Sequence, residues 1–475
     1  MKKVLLVNTN IEKIPYPVPP LGLCLLTAIL ENRYEVKIYD GVFDEGRNLV
    51  KLVTDFQPDY IGFSIRNIDD VVMDRSVFYV DEILEKFIFP VKAVTGVPLI
   101  LGGSGFSIFP EELMQVTGAD YGIIGEAEKS FPELLDALVS EKEVSQIPNL
   151  FIRGKRRAPS EFSFSDGLQS SRLHSDIDRH IDFTPYRSRG AYSVQTKRGC
   201  SHGCIYCTYP LIEGKHFRVR DPEVIADEIE QAFHRIGNIM FEFVDSTFND
   251  PKGHAEDICR AIIRRKIKVR LRTMGINPRH CSDELFTLMT EAGFVQIDAT
   301  PDSASPQILG NLRKGFTLPE IEKMARLIKK HNLPTMWFFL FGGPGEDAST
   351  FRETLDFIDA YVNPADMVYM TAGLRVYPNT PLYTIAIREG KIRKGQSVFR
   401  FPLYYFSEKL PKFQLDHLIM EASSHRPHCI PAMETTPSPE MVKEAMAIRE
   451  RENLEEPMFR TLIRVRKVWK SAGKL

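Results

Sequence analysis

The sequence has no long apolar run and no excess of either charge. No stretch reaches the roughly 18 apolar residues that a transmembrane helix needs, and Met1-Lys2-Lys3-Val4 leads into a short strand-like run instead of a signal peptide's longer apolar stretch. The chain has 61 Lys and Arg against 63 Asp and Glu, a formal net charge of −2. Because the basic residues are spread along the chain, nucleic acid is not expected as the main partner. We expect a cytoplasmic globular protein without a membrane span.

Cysteine is scarce and unevenly placed. Only 7 of the 475 residues are cysteine, and Cys200, Cys204 and Cys207 have the spacing Cys-x3-Cys-x2-Cys. An odd, clustered set argues against a disulfide framework and for metal in a reducing compartment. Three thiolates can hold a four-iron cluster and leave one iron open to a ligand. The alternative is a structural zinc site, but zinc usually takes four protein ligands. The other cysteines are isolated along the chain: Cys24, Cys259, Cys281 and Cys429.

The first 145 residues alternate short apolar runs with helical patterns. The five strand-like runs are Val4–Val7, Glu35–Tyr39, Tyr60–Ser64, Pro98–Leu101 and Tyr121–Ile124. A long helical stretch is predicted near Asp70–Phe89, and a helix at Ser130–Val139 ends the series. This pattern predicts an α/β domain with a doubly wound, Rossmann-like parallel sheet. Ligands of such sheets bind at the carboxyl ends of the strands.

A second α/β series follows a less regular linker, predicted at residues 146–190, which includes Lys155-Arg156-Arg157. The six strand-like runs are Ser193–Lys197, Ile239–Val244, Lys268–Thr273, Phe294–Ala299, Thr335–Phe341 and Met367–Val376. Six βα repeats are fewer than the eight of a complete barrel, so residues 191–390 are predicted to form a partial barrel. Residues 391–475 are predicted as a mainly helical cap that shapes the substrate pocket.

The cysteine motif falls at the carboxyl end of the first barrel strand, where enzymes of this architecture place their chemistry. This placement, with Tyr206 just before the third cysteine, resembles the radical S-adenosylmethionine superfamily. The resemblance implies that the open iron is chelated by the amino and carboxylate groups of S-adenosylmethionine. It also implies that the reduced cluster cleaves a carbon–sulfur bond of this cosubstrate.

Later strand ends resemble cosubstrate-binding segments of the same family. The residues concerned are Asp245, Ser246, Asp302, Ser303, Gly342 and Gly343. Each segment taken alone could be an ordinary turn. Arg375, at the end of the sixth strand, is a candidate to pair with a carboxylate of cosubstrate or substrate, with a surface ion pair as the alternative.

The loops of the amino-terminal sheet resemble those of the cobalamin-binding domains found upstream of many radical S-adenosylmethionine enzymes. The residues carried over are Pro20, Gly22, Ser64, Arg66, Asn67, Gly102, Gly103, Ser104, Gly125 and Glu126. A dinucleotide site would need Gly-x-Gly-x-x-Gly directly after strand one, and residues 7–11 have none. A flavodoxin-like regulatory domain remains an alternative, since a sheet by itself implies no ligand.

The sequence lacks Asp-x-His-x-x-Gly, the motif through which histidine binds cobalt in other cobalamin domains. The segment Ser64–Asp69 instead resembles the tryptophan C2-methylating members, where an arginine lies beneath cobalt without bonding to it. Arg66 is therefore a candidate for the lower face of cobalamin, where a cation would make the cobalt-bound methyl group easier to donate. The alternatives are that Arg66 pairs with Asp69 or Asp70, or contacts a propionamide of the corrin.

Together, residues 1–390 resemble a cobalamin-dependent radical S-adenosylmethionine enzyme. The resemblance implies three cofactors: a [4Fe-4S] cluster, S-adenosylmethionine and cobalamin. It implies methylation of a carbon of a small-molecule substrate by way of methylcobalamin, with electrons from an external flavodoxin- or ferredoxin-type donor. Radical cyclisation or rearrangement without methyl transfer is the alternative activity, and a non-enzymatic cobalamin or redox sensor is a third. Polar and radical methyl transfer are both open, as is the identity of the substrate.

The carboxy-terminal region carries two further candidate features. Aromatic residues between Phe399 and Phe406 could line a pocket, although aromatics at this density more often belong to a core. His425, His428 and Cys429 have a spacing compatible with metal, but Pro427 favours a loop over one helical face. Either histidine is also a candidate for a role near the substrate.

Overall fold

The computed structural model describes residues 1–73, 77–155, 164, 173–434 and 436–473. Arg156 and Arg157 of the predicted linker lie outside the described residues, as do residues 74–76 of the predicted helical stretch near Asp70–Phe89. Over the described ranges, no helix is long and apolar enough to cross a membrane.

The amino-terminal domain is built on a six-stranded sheet in the order β2-β1-β3-β4-β5-β6. Its strands are β1 (Lys3–Asn8), β2 (Glu35–Asp40), β3 (Tyr60–Ser64), β4 (Leu99–Gly102), β5 (Tyr121–Ile123) and β6 (Leu150–Ile152). Strands β1 to β5 are parallel. Strand β6 pairs antiparallel with β5 and extends the sheet past the boundary expected at residue 145.

Helices cover both faces of this sheet, because its strands are apolar on both sides. They are α1 (Leu21–Leu30), α2 (Gly41–Asp44), α3 (Leu49–Phe56), α4 (Tyr79–Ile83), α5 (Phe89–Val94), α6 (Ser104–Ile108), α7 (Pro110–Thr117) and α8 (Ser130–Val139), with a π-helical turn at Leu84–Ile88. Leu23 and Leu26 of α1 pack with Leu6 on one face of the sheet. Val53 of α3 packs with Leu5 on the other.

The second domain is an open barrel of seven parallel strands in the order β17-β14-β13-β12-β11-β10-β7. The strands are β7 (Tyr192–Val194), β10 (Met240–Phe243), β11 (Arg270–Ile276), β12 (Phe294–Asp302), β13 (Thr335–Phe341), β14 (Met367–Ala372) and β17 (Cys429–Pro431). Six of them correspond to the predicted runs. The seventh, β17, comes from the carboxy-terminal region. Two short antiparallel pairs join β8 (Lys197–Arg198) to β9 (Arg218–Val219), and β15 (Leu374–Arg375) to β16 (Tyr404–Tyr405).

The strands of the barrel alternate between a helix-covered face and a concave inner face. Trp337, Phe339 and Phe341 of β13 are buried in the core formed with the outer helices. Met336, Phe338 and Leu340 alternate with them and remain partly exposed on the concave side. The helices of this domain are α9 (Ile177–His180), α10 (Tyr209–Ile212), α11 (Pro222–Ile236), α12 (His254–Arg265), α13 (Asp283–Ala292), α14 (Pro306–Asn311), α15 (Leu318–His331), α16 (Ala348–Tyr361) and α17 (Pro381–Arg388), with 3-10 turns at Thr184–Tyr186 and Pro278–His280.

The carboxy-terminal region consists mainly of α18 (Lys412–His425), α19 (Pro439–Glu452) and α20 (Met458–Ser471), with a 3-10 turn at Ala432–Glu434. Phe459 and Ile463 of α20 pack against Met367 of β14 and Ile430 of β17. The fold class predicted from the sequence is thus confirmed: a doubly wound sheet is followed by a partial barrel and a mainly helical terminus.

Side chains from both domains meet at the interface. Tyr186 donates a hydrogen bond to Asp40 across it at 2.6 Å. Phe399 packs on Phe109 and Phe78 of the amino-terminal domain, with ring centroids 5.2 and 5.1 Å apart. Of the aromatic segment singled out above, Phe399 and Tyr405 are therefore core residues, whereas Phe401 is 80% exposed.

Candidate active site between the two domains

The cysteine motif lies in the loop between β8 and α10. Cys200 N donates to Gly214 O at 3.0 Å, and Ile205 N donates to Leu312 O at 3.2 Å, so the loop is tied at two points to other parts of the barrel. Gly199, just before the first cysteine, has φ +85. A Cβ there would lie far inside van der Waals contact with the carbonyl oxygen of His216. Only glycine fits this turn without strain.

The three thiols are at least partly buried and influence one another's ionisation. Burial raises the pKa of the Cys200 thiol, an effect offset in part by the His202 amide and the Ser246 side chain. Burial also raises the pKa of Cys204, and it raises that of Cys207 to about 12. Within the described residues, no three His, Cys, Asp or Glu side chains converge closely enough to hold one metal ion. Three cysteine thiols on one loop are the kind of donor set that holds an iron–sulfur cluster.

His202, within the cysteine motif, has two side-chain partners. Its Nε2 lies 2.9 Å from Asp250 Oδ2, and Asn277 Nδ2 lies 3.0 Å from the same ring nitrogen. Thr247 also donates to Asp250 Oδ2, at 2.8 Å. These contacts fix the cysteine loop to the ends of β10 and β11.

Tyr206 belongs to a buried network that includes a lysine absent from the sequence prediction. The Tyr206 hydroxyl donates to Asp302, and Lys314 Nζ donates to the same carboxylate at 2.6 Å and to the Tyr206 oxygen at 3.2 Å. Asp302 and Lys314 are both buried. Lys314 lies in no sequence motif. It reaches Tyr206 only because the short helix α14 turns the chain back toward the cysteine loop.

Other predicted strand-end residues bond mainly to the protein itself. The Asp245 carboxylate accepts from the Thr196 amide at 2.8 Å, the Thr196 hydroxyl at 2.7 Å and the Lys197 amide at 3.1 Å. The Ser303 hydroxyl accepts from the Ser305 amide at 3.1 Å. Asp245 and Ser303 thereby shape the loops at the cysteine end of the barrel.

Gly342 and Gly343 form a turn around a buried glutamate. Their amides donate to Glu346 Oε2 at 2.6 and 2.9 Å. Burial raises the pKa of Glu346 to about 7, although the two amides act in the opposite direction. The other carboxyl oxygen, Oε1, is buried without a hydrogen-bond partner among the described residues.

A cavity of about 200 Å³ opens at the carboxyl ends of the amino-terminal sheet. Its lining includes Gly22, Ser64, Gly102, Gly103, Gly125 and Glu126 of the predicted set. A Cβ at Gly22 would meet nothing within 4 Å, and one at Gly102 would meet only the Ile123 carbonyl oxygen, at 4.0 Å. Pro20, Arg66, Asn67 and Ser104 are not part of the lining. The Ser104 hydroxyl donates to the Arg66 carbonyl at 3.0 Å and so fixes the neighbouring loop.

The mouth of this cavity is shared with the cysteine loop, because Arg198 and Glu213 also line it. Glu126 pairs with Arg218, and Arg198 pairs with Glu128. These ion pairs join the two domains where the strand ends face each other. Burial raises the pKa of Glu213 to about 7 despite the nearby Arg198 guanidinium.

The two arginines singled out from the sequence differ in their surroundings. Arg66 is exposed, and no ion pair involving its side chain is found in the described ranges. Its predicted alternative partner Asp69 is engaged elsewhere, since Arg375 Nη2 lies 3.0 Å from Asp69 Oδ2. Arg375 also donates to the carbonyl oxygens of Val376 and Val398, at 2.7 and 2.8 Å. Arg375 thus pairs with a carboxylate of the protein itself, that of Asp69.

The other polar candidates in the carboxy-terminal region show no metal geometry. His425 is exposed at the end of α18, whereas His428 is buried and Cys429 begins β17. Burial lowers the pKa of His428 to about 4.

Comparison with known proteins agrees with this two-part organisation. The model of the B12 binding domain matches residues 7–135, and that of the radical SAM superfamily matches residues 194–358. A tryptophan 2-C-methyltransferase of Streptomyces laurentii is 26% identical over 445 residues, covering 79% of this chain and 73% of the relative. An uncharacterized methyltransferase of Pyrococcus horikoshii is 26% identical over 378 residues, covering 78% of each chain.

Solved structures extend the likeness to the whole fold. The radical S-adenosylmethionine methyltransferase TsrM from Kitasatospora setae, with cobalamin and a [4Fe-4S] cluster bound, has a TM-score of 0.83 at 25% identity. That match covers 99% of this chain and all of TsrM. The cobalamin-dependent radical enzyme OxsB shares the fold, with a TM-score of 0.75 at 17% identity, and covers 100% of this chain and 72% of OxsB.

The fold and the matched domains thus define a two-domain protein in which a B12-binding sheet faces the cysteine loop of a radical SAM barrel. The chain belongs to the cobalamin-dependent radical S-adenosylmethionine enzymes, and within them to the methyltransferases.

Proposed function

We propose that this methyltransferase transfers the methyl group to an electron-rich sp2 carbon of a small aromatic molecule by a polar route. The observation that carries this proposal is Arg66, an exposed cation on the loop after β3 for which no ion pair is found within the described residues. Burial raises the pKa of the Tyr209 hydroxyl, at the end of the cysteine loop, and Arg66 lies close enough for its charge to lower that pKa in part. The likeness to a tryptophan 2-C-methyltransferase over 79% of the chain supports it.

The residues on both sides of the interface suit the three cofactors of this class. When bound, cobalamin supplies a transferable methyl group, and the cluster supplies an iron that can hold S-adenosylmethionine. Cys200, Cys204 and Cys207 would hold the cluster. The cavity beside Gly22, Gly102 and Gly125 has room for part of a large ligand such as cobalamin, because these positions carry no side chain.

Arg66 would act by charge. A guanidinium carries its charge at all ordinary pH values. Held beneath the corrin, it would oppose ligation from below and disfavour positive charge on the metal. Arg66→Lys should keep this effect in part, whereas Arg66→Ala should remove it. We expect Arg66→Ala to bind cobalamin but to transfer methyl at least about tenfold more slowly, a difference of roughly 1.4 kcal/mol.

Electrons are expected to come from an external flavodoxin- or ferredoxin-type donor. Such a donor works in a reducing compartment, and we expect that compartment to be the cytoplasm. In a polar reaction this donor would be needed only to reactivate oxidised cobalamin. Many turnovers per added electron, without 5′-deoxyadenosine, would therefore support the polar route. One 5′-deoxyadenosine per methylated product would contradict it and favour hydrogen abstraction.

The decisive experiment is anaerobic reconstitution with iron, sulfide and hydroxocobalamin, followed by methyl-labelled S-adenosylmethionine. We expect about four irons and one cobalamin per chain, with label first on cobalamin and then on the product. Alanine at Cys200, Cys204 or Cys207 should abolish iron loading and spare cobalamin binding. Cys259→Ala, in the core of α12, is the matched control that should load iron normally. A colourless protein that binds zinc, or a product without labelled methyl, would contradict the proposal.

A further inference from the structure

We propose that Asp298 and Arg272, on the concave face of the barrel, form the substrate-recognition site, and that Asp298 accepts the ring N–H proton of a planar heteroaromatic substrate. This inference rests on the proposed function, since it names the substrate class and the proton acceptor of the same reaction.

The site is a layer of charged side chains on the concave face of the barrel. Glu242 of β10, Arg272 of β11 and Asp298 of β12 alternate with core residues and therefore point to the concave side. Arg272 Nε donates to Glu242 Oε1 at 2.6 Å. Tyr16, from the loop after β1, donates to the same oxygen at 2.6 Å, and its ring centroid is 4.0 Å from the guanidinium carbon. The cation is thus held in place by both domains.

Two polar atoms of this layer have no hydrogen-bond partner within the described residues. Arg272 Nη2 is buried and has no hydrogen-bond partner within the described residues. Such a donor is costly to bury unless something accepts from it. Asp298 accepts from Gln296 Nε2 at Oδ1, at 3.2 Å, and no hydrogen bond to its Oδ2 is found in the described part of the chain. A free donor and a free acceptor on neighbouring strands suit a ligand with one of each.

The wall beside them is flat and aromatic. Phe338 of β13 and Tyr369 of β14 stack with centroids 5.0 Å apart and their planes within 10°. Met274, further along β11, is 41% exposed, so the space above the polar layer is open. A planar ring can lie against this wall with its edge toward the carboxylate. An aliphatic chain would leave the free donor and acceptor unmatched.

The electrostatics suit proton transfer near neutral pH. Burial raises the pKa of Asp298 to about 7, and Glu242 acts in the same direction, whereas Gln296 and Arg272 act in the other. The remaining titratable groups that face it are Tyr16 and Tyr369, whose pKa burial raises, in the case of Tyr369 to about 12. Near pH 7, Asp298 is therefore the group in this layer that changes charge, which suits a general base.

The proton and electron count closes without an added oxidant. The ring N–H proton passes to Asp298 Oδ2, and the electron pair left on nitrogen forms a C=N bond with the ring-fusion carbon. The π pair of the ring C=C bond then joins the methyl group to the C–H carbon on the other side of the nitrogen. The bond between methyl and its donor breaks, and its electron pair stays on the donor. The methylated carbon then loses its proton to solvent, and the nitrogen recovers a proton from Asp298. The net change is replacement of a ring hydrogen by methyl, with release of one proton.

The test is equilibrium dialysis of radiolabelled L-tryptophan and 1-methyl-L-tryptophan, which lacks the ring N–H, against protein reconstituted with iron, sulfide and cobalamin. We expect Asp298→Asn to weaken tryptophan binding by about tenfold or more, the worth of one hydrogen bond to a charged group. Binding of the methylated probe should change by less than about threefold. Asp257→Asn, at an exposed position of α12, is the control that should leave the binding of both probes unchanged.

The methylation rate adds a second measurement. In the wild type it should rise through about pH 7, the pKa of Asp298, and Asp298→Asn should be slow at every pH. Failure of tryptophan to bind the wild type, or equal binding by Asp298→Asn, overturns the inference. Transfer of label from S-adenosylmethionine to cobalamin is measured on the same samples. If that label moves but neither probe binds, only the substrate site is wrong; if it does not move, the proposed function fails.

Discussion

Arg375 and Asp69 form a buried ion pair across the domain interface, with Nη2 and Oδ2 3.0 Å apart and side chains only 2% and 0% exposed. Asp69 follows β3, three residues after Arg66, and Arg375 follows β14. The pair therefore joins the loop that carries the proposed lower-face arginine to the rim of the barrel. Arg375, a predicted partner for a substrate or cosubstrate carboxylate or for a surface ion pair, thus forms a buried ion pair between the two domains.

Replacement of Arg375 by Ala should destabilise the protein strongly. The change leaves the Asp69 carboxylate buried without its cation, which typically costs about 3–5 kcal/mol. The free energy of unfolding, measured in urea on the cofactor-free protein, should fall by this amount. Arg400 offers a matched control, because it pairs with Asp81 across the same interface with side chains 58% and 49% exposed. Arg400→Ala should cost at most about 1 kcal/mol, and equal effects of the two variants would show that burial of the pair does not matter.

The sequence predicted five of the six strands of the first sheet and six of the seven of the second, because apolar strand runs and the loops between them are local signals. It also located the cysteine loop. It did not predict β17, since Cys429–Pro431 is too short to stand out from loop residues. The first barrel edge, β7, was predicted because it leads directly into the cysteine motif.

Gly199→Ala should disrupt the cysteine loop, whereas Gly203→Ala should not. Gly199 has φ +85 and no room for a Cβ beside the His216 carbonyl, and a Cβ at Gly203 would meet nothing within 4 Å. The left-handed backbone alone costs an alanine roughly 1–2 kcal/mol, and the clash adds to it. Iron content after reconstitution should drop sharply in the first variant and stay near the wild-type value in the second. Normal loading of both would mean that the loop can rearrange around the added methyl group.

Side-chain partners were harder to predict than loops. The carboxylate of Asp245, which stays a predicted cosubstrate contact, accepts three hydrogen bonds from Thr196 and Lys197 that no local pattern indicates. Lys314 and Asp298 were not singled out at all. Their environments depend on residues far away in sequence, such as Cys204 for Lys314 and Arg272 for Asp298. A single sequence carries no local signal for such long-range electrostatics.

The free energy of unfolding should fall as pH rises toward 7, because the buried carboxyl group of Glu346 then loses its proton. Its pKa is raised from 4.5 to about 7 in the folded chain, so the folded state holds a proton that the unfolded state releases. The stabilisation is complete below about pH 4.5, is lost as pH rises through 7, and amounts to roughly 3 kcal/mol. Glu346→Gln, which keeps an oxygen for the Gly342 and Gly343 amides, should flatten this part of the profile.

Urea unfolding of the cofactor-free protein at pH 5 and pH 8 measures the difference. Glu353→Gln, an exposed position on α16, the helix that follows Glu346, should match the wild-type profile. If Glu346→Gln loses as much stability as the wild type between the two pH values, the buried carboxyl is already ionised at pH 5.

Substitutions in the network of Tyr206, Asp302 and Lys314 should lower the free energy of unfolding, most of all where they leave a buried charge without its partner. Tyr206→Phe removes the hydrogen bond that Tyr206 donates to Asp302 and the one that it accepts from Lys314, and it should cost roughly 1.5–3 kcal/mol. Lys314→Met removes the cation that holds Asp302 at 2.6 Å and should cost about 3–5 kcal/mol, because the carboxylate stays buried. Adding Asp302→Asn to Lys314→Met should recover part of that loss, since no unpaired charge then remains. Unfolding in urea at pH 7 measures all three variants. If the double variant is less stable than Lys314→Met by the full cost of a second deletion, the two groups do not interact, and the ion pair beside the cysteine loop is not what stabilises it.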